Sequence, residues 1–352
     1  METLSNYLPD KVLSDYFATK KKKELLPIWS QKYNIDHFSP SQLNQKDGVW
    51  SFKYLYCDEK DRREFDINSK MQAGNAVGKA GILLYADVEW VGDKHVIHKP
   101  YPEINDSIFQ KVYEQAETYY MEYKPVNDLD RQQFQNNREN LTETIKTFFK
   151  AFSEVGFKKP VHCERTIAVK LKNCVLPIIG RIDFEDETSF LELKTKWGRK
   201  APKPKKDGTT SFYNVTINDN IDANHLLQVA IYWHATKKKP YLLYVTKDQY
   251  KLFTPENCEQ LQPENLNLYV NQAQIVAYRR ERLMARHNGE HSYFTDLDPD
   301  FDHPYAWNIG SQYKNKAMPI VGFILFSLLC LILNNLESVQ AILQAITIKV
   351  IK

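Results

Sequence analysis

The run GRIDFEDETSFLELK sets two acids and a lysine, Asp183, Glu192 and Lys194, on consecutive strand-like segments. Side chains alternate along a strand, so Glu192 and Lys194 share one side while Leu193 points into the core. With the turn centred on Asp186 and Glu187, Asp183 falls opposite Phe190 and faces that same side. Diagonal neighbours on antiparallel strands lie about 7–8 Å apart. Two carboxylates at that spacing can converge on one hard divalent cation, with the Leu193 carbonyl as a further oxygen donor. Such donors suit Mg2+ or Mn2+. An ion held this way stabilises charge on a phosphoryl group and acidifies a bound water. Lys194, kept charged by the carboxylates, would orient that water rather than serve as a free-amine base. Phosphodiester hydrolysis is therefore within reach of this set. Taken alone, the pattern is more often a surface hairpin with a Glu192–Lys194 salt bridge, so its surroundings decide.

Those residues need a sheet to position them. CERTIAVKL, VLPIIGRIDF and SFLELKT read as three strands, the last two joined by the turn EDET. A basic loop follows, then a helix over 222–236, a strand at PYLLYVTK and a basic-ended helix over 264–287. Upstream, 104–124 and 128–156 read as helices separated at Pro125, and Ser39 before Pro40 marks a helix start. The order predicts an α/β fold, a mixed central β-sheet flanked by helices, with a helical N-terminal region. Three parts are expected: an N-terminal arm over 1–34 with the run Lys20–Lys23, one domain over 35–310, and an apolar tail over 317–352.

With these elements in place, GRIDFEDETSFLELKTK resembles the core motif of RecB-type PD-(D/E)XK nucleases, in which a GxxD strand precedes a (D/E)xK strand. Glu164, one strand earlier, falls where many members carry an additional metal-ligating glutamate. Gln228 and Tyr232 in LLQVAIYW match the family's QxxxY helix, and residues four apart share a helix face. HFSPSQLNQ is similar to the SxSxL helix start of these domains. The resemblance spans His37 to Arg286. It implies a restriction-endonuclease-like core and a DNA exonuclease using Mg2+ or Mn2+, in recombination, repair or replication. It is nearer to phage and mitochondrial genome-maintenance exonucleases than to iron–sulfur relatives. Asp183, Glu192 and Lys194 would be catalytic. Asp183, Glu192, Leu193 and Glu164 would hold the metal, and Gln228, Tyr232 and Arg181 would contact DNA. An endonuclease of the same fold, or a non-catalytic DNA-binding protein tethered to a membrane, are the alternatives. One departure stands out: in QAGNAVGKAG, Gly78 occupies the position where relatives often have a histidine.

Residues 194–206 contain seven Lys or Arg and no acid, and their prolines suggest an exposed loop beside the catalytic strand. Lys196, Arg199 and Lys200 would neutralise phosphates without reading sequence, and Trp197 would stack on an unpaired base. Linear or single-stranded DNA ends are the expected partner, with any helicase or single-strand-binding protein a separate chain. GNAVGKA falls one residue short of a phosphate-binding P-loop and lacks its Ser or Thr.

Five scattered cysteines form no CxxC pair, which argues against a zinc site or an iron–sulfur cluster and for reduced thiols in a cytoplasmic setting, bacterial or virus-infected. A net charge of +3 is too small to identify a nucleic-acid partner, so the placement of the charges matters more than their sum. His95 and His98 read as strand residues, and Asp296 to Asp302 as an acidic turn lacking the glycine of a calcium loop. Ala317–Leu333 carries no charge but only borders on the roughly 20 residues a spanning helix needs. Membrane association through 317–336, a buried or partner-packed helix, and a tail without function all remain open.

Overall fold

The computed structural model describes residues 26–56, 68–84, 86–91, 94–100, 105–154, 162–203 and 210–288, with backbone alone at Phe52 and 86–100. The lysine run at 20–23, the acidic stretch at 296–302 and the apolar tail lie outside these residues. Among the described residues, no helix is long and apolar enough to cross a membrane.

The chain divides into two compact units. One combines Leu26–Ile35, Gln45–Phe65 and the chain from Arg282 onward. It contains the helices Ile28–Lys32 and Asp47–Ser51, the second continuing into a π-helical turn, Phe52–Tyr56. Trp50 is fully buried there and stacks on Tyr54 at 5.9 Å.

The other unit, Asp36–Asn44 with Asp66–Glu281, carries the sheet. Its elements are α1 (Pro40–Leu43), α2 (Ser69–Leu83), β1 (Ala86–Val91), β2 (Lys94–Pro100), α3 (Asp106–Met121), α4 (Asp128–Glu154), β3 (His162–Val169), β4 (Ile178–Glu185), β5 (Ser189–Thr195), β6 (Arg199–Lys200), β7 (Phe212–Tyr213), α5 (Ala223–Thr236), β8 (Lys239–Val245), β9 (Tyr250–Phe253) and α6 (Pro263–His287). The main sheet has the order β3-β4-β5-β8-β9, antiparallel except where β5 runs parallel to β8. A parallel pair needs a crossover, which α5 supplies. The expected mixed α/β sheet is present. The β1–β2 ribbon, which includes His95 and His98, and the edge strand β9 are additions to it.

The core explains why the early helices cover this sheet. Leu141, Ile145, Phe148 and Phe152 recur at helical spacing on α4 and are all buried. Phe148 and Phe152 meet Phe184 of β4 at ring distances of 6.0 and 5.3 Å. Gly81 lets α2 lie against that cluster, since a Cβ there would come within 2.5 Å of the Phe184 ring. Leu191 and Leu193 of β5 join the same core.

The hairpin register corrects one expectation. Asp186 accepts hydrogen bonds from the Thr188 and Ser189 amides at 2.7 and 2.6 Å, and its own N–H donates to the Ser189 carbonyl. The turn therefore centres on Glu187 and Thr188, one residue later than expected. Phe184 pairs with Leu191, and the same register sets Asp183 opposite Glu192 rather than Phe190. A two-residue shift preserves which side each chain faces. It also turns a diagonal relation into a direct one.

Candidate active site

The β3–β4 ladder pairs Cys163 with Phe184 and Arg165 with Ile182, so Glu164 falls opposite Asp183. Glu164, Asp183 and Glu192 thus lie at one level across three adjacent strands. Glu164 has a backbone φ of 50°, in the left-handed region that a residue with a side chain enters at a cost, and such positions concentrate at functional sites. The three acids line a cleft of about 900 Å³ together with Lys194, Arg181, Gln228, Tyr232 and one side of α2.

Lys194 sits within a closed set of hydrogen bonds. Its Nζ donates to Glu192 Oε1 at 2.6 Å and to Gln228 Oε1 at 2.9 Å. Because the ammonium can only donate, it holds the carboxamide oxygen of Gln228 toward itself. Gln228 Nε2 then donates to Glu192 Oε1 at 2.6 Å and to the Tyr232 hydroxyl at 2.9 Å. The Tyr232 hydroxyl also accepts the Arg181 amide, at 3.2 Å. The helical Gln–Tyr pair therefore fastens lysine, glutamate and strand β4 together. Tyr232 is only 2 % exposed, so its place here is that of a brace.

That brace explains a second motif. A Cβ on Gly180, the glycine of GRID, would lie 2.5 Å from Tyr232 Cε1 and 3.3 Å from Pro40 Cγ. Pro40 is held there because Ser39 caps α1 in a reciprocal capping box with Gln42, and Phe38 bridges to Ile178 of β4. Gly180→Ala is expected to lower stability by about 1–3 kcal/mol through overpacking and to loosen Gln228. Thermal unfolding beside an activity assay checks this; unchanged values for both would refute the brace.

The electrostatics show what the site lacks. Burial, then the neighbouring Glu192 charge, pushes the Asp183 carboxyl up to about 8, even though Oδ2 accepts the Leu193 amide at 2.8 Å. Burial likewise raises Glu192, against the pull of Lys194. Lys194 loses solvation, but Glu192 and Asp183 outweigh that loss and hold its ammonium above the ordinary lysine value. Glu192 Oε2 is buried and has no hydrogen-bond partner. Buried acceptors are normally satisfied. An orphaned carboxylate oxygen beside a carboxyl driven toward neutrality describes a place short of positive charge. A hard cation would supply it. Among the described residues, no three His, Cys, Asp or Glu side chains form a ready-made cage. The available donors are the oxygens of a few carboxylates and carbonyls, the set that suits an ion retaining several waters.

The basic segment differs from expectation at one residue. Trp197 is 6 % exposed, belongs to the core and donates from Nε1 to Thr195 Oγ1 at 2.9 Å. It is a buried anchor and presents no face for a base to stack on. Arg199 and Lys200 are exposed and pair with Tyr213 and Phe212 as a short ribbon rather than an extended loop. Lys196 lies over the Tyr244 ring at 4.9 Å. Arg181 is exposed, with its guanidinium 3.8 Å from Glu164. Gly78 of α2 lines the cleft, and a Cβ there would meet nothing within 4 Å, so the space for a side chain is open.

Two neighbours went unnoticed in the sequence. Lys70 of α2 lines the cleft but is far from the motifs in the chain. His225, one turn before Gln228, bonds through Nδ1 to the Tyr244 hydroxyl at 2.6 Å, and burial, then Lys194 and Lys196, lowers it to about 4. The i, i+3 spacing from Gln228 was the available signal for His225. Lys70 gave none.

No family model matches the chain, and no curated protein matches it. A crystal structure of a Eubacterium rectale protein provisionally described as an exonuclease is similar, at 12% identity, covering 74% of this chain and 85% of that one with a TM-score of 0.32.

Proposed function

We propose that this chain is a metal-dependent nuclease of the RecB-type PD-(D/E)XK kind, hydrolysing DNA phosphodiesters and acting as an exonuclease. One observation carries the reading. Asp183 and Glu192 face each other in a cleft with a buried, unsatisfied carboxylate oxygen, and Lys194 is locked onto Glu192 by Gln228. A structural salt bridge does not need an orphaned oxygen or a carboxyl forced toward neutrality.

Asp183, Glu192 and the Leu193 carbonyl would hold Mg2+ or Mn2+, with Glu164 as an additional donor. When bound, the ion supplies charge stabilisation at the phosphoryl oxygens and a water of lowered pKa. Lys194 keeps its proton, so its part is to orient the attacking water and counter developing negative charge. Gln228 fixes the lysine, and Tyr232 fixes Gln228. Arg181, Lys196, Arg199 and Lys200 offer phosphate contacts from the cleft and the adjoining ribbon.

The test uses end-labelled linear DNA and closed circular DNA with Mg2+ or Mn2+, beside Glu192→Gln. Linear DNA is expected to be degraded, the closed circle spared and E192Q inactive. Cutting of the closed circle would favour the endonuclease alternative. No cleavage of either substrate with either ion would remove the catalytic reading.

A further inference from the structure

We infer that Lys70 of α2 and Arg199 of β6 together bind a backbone phosphate of the substrate strand, at a subsite beside the hydrolytic centre. The inference rests on the nuclease reading above and names a contact from outside the motif-bearing segments.

Both side chains line the same cleft. Lys70 is half-buried, and its ammonium is pushed below the ordinary lysine value by burial first and by the Arg199 charge second. The described structure gives neither side chain an ion-pair partner. Two like charges brought within reach of each other at a partly desolvated wall repel. The fold nevertheless keeps them together. An anion between them turns that repulsion into two charge-assisted hydrogen bonds, with a guanidinium fork on one side and an ammonium on the other.

The backbone shows how the pair is held. Gly74 follows Lys70 by one helical turn, and a Cβ there would stand 2.9 Å from Thr195 Oγ1. The missing side chain lets α2 lie directly against the end of β5. Thr195 Oγ1 in turn accepts the Trp197 indole N–H, which anchors the strap leading to Arg199. Arg199 is then pinned by pairing with Tyr213 while its side chain stays exposed. Main-chain positions are fixed on both sides, and only the charged ends are free to meet a ligand.

A phosphodiester is the class of anion that fits, since the same cleft holds the acid–lysine set. The Arg199 charge also acts on Lys196, so cationic side chains continue from Lys70 toward Lys194. A strand entering past Lys70 and Arg199 would have its phosphate held before the next one reaches Asp183 and Glu192.

The experiment measures binding of a fluorescein-labelled single-stranded oligodeoxynucleotide to the full chain in chelator, across a salt series. Lys70→Gln and Arg199→Gln are each expected to weaken binding several-fold and to reduce the salt slope by about 0.7, the value for one lost single-strand phosphate contact. Lys70→Arg should bind close to the unaltered chain, and thermal unfolding should confirm that each variant is folded. A set of oligonucleotides with a neutral methylphosphonate at one position each then locates the contact. At one position the substitution should weaken the unaltered chain but cost K70Q and R199Q nothing further. K70Q binding with undiminished affinity and slope overturns this inference alone. So does a methylphosphonate scan that costs K70Q as much as the unaltered chain at every position. Failure of the unaltered chain to bind DNA overturns this inference and the nuclease reading together.

Discussion

Lys194→Ala is expected to lower the rate of phosphodiester cleavage by about 10²–10⁴-fold, the range spanned by a positioned proton-handling or charge-stabilising group. Most of the loss should fall in kcat. Lys194 faces the reacting centre, whereas the exposed cations of the strap are the groups placed to hold substrate. Its ammonium is bonded to Glu192 at 2.6 Å and to Gln228 at 2.9 Å, so its position does not depend on substrate. Removing it also strips Glu192 Oε1 of its cationic partner, leaving Gln228 Nε2 as its donor. With Oε2 already unsatisfied, burial would drive the Glu192 carboxyl further up and weaken any cation held beside it. Single-turnover cleavage at saturating DNA checks the size of the drop. A variant within a factor of about three of the unaltered rate has lost no group of that kind. Gln228→Ala should fall between the two, because it releases the lysine without removing it.

Legibility in the sequence followed the distance over which each feature is determined. The hairpin from Gly180 to Lys194 is local, and alternation along a strand put Asp183, Glu192 and Lys194 on one side whatever the register. The register itself depended on how the Asp186 side chain bonds the Thr188 and Ser189 amides, a turn detail that centred it one residue later. The Gln228–Tyr232 spacing announced a shared helix face, but not that Tyr232 would be buried on Gly180. That contact joins two motifs nearly fifty residues apart. Trp197 was misplaced because charged neighbours made its segment look wholly solvated. Burial was decided by α2 and α4 arriving from far upstream. Lys70 belongs to the same class, since nothing near it in the chain foretells Arg199.

Asp183→Asn is expected to raise the stability of the metal-free protein while abolishing hydrolysis. Burial and the Glu192 charge lift the Asp183 carboxyl from 3.8 to about 8 in the folded chain. A folded pKa above the unfolded one means that the native state holds this proton more tightly. The resulting stabilisation is complete below the unfolded value of 3.8 and is lost as pH rises toward about 8. Asparagine has no charge to develop and can still accept the Leu193 amide, so it escapes that loss. The melting temperature of D183N in chelator should pull ahead of the unaltered chain from about pH 4 and level off above about pH 8. Mn2+ should then reverse the order near neutral pH. A cation that binds only the native site stabilises it by mass action, and D183N lacks half of the facing carboxylate pair. A melting difference that is constant or shrinks across this pH range, or equal stabilisation of both proteins by Mn2+, would show that the facing acids are not a cation site. The expected pattern, an acid that weakens the empty fold and is needed once an ion arrives, has no purpose in a structural salt bridge. It is the behaviour of a site whose charge balance is completed by a ligand.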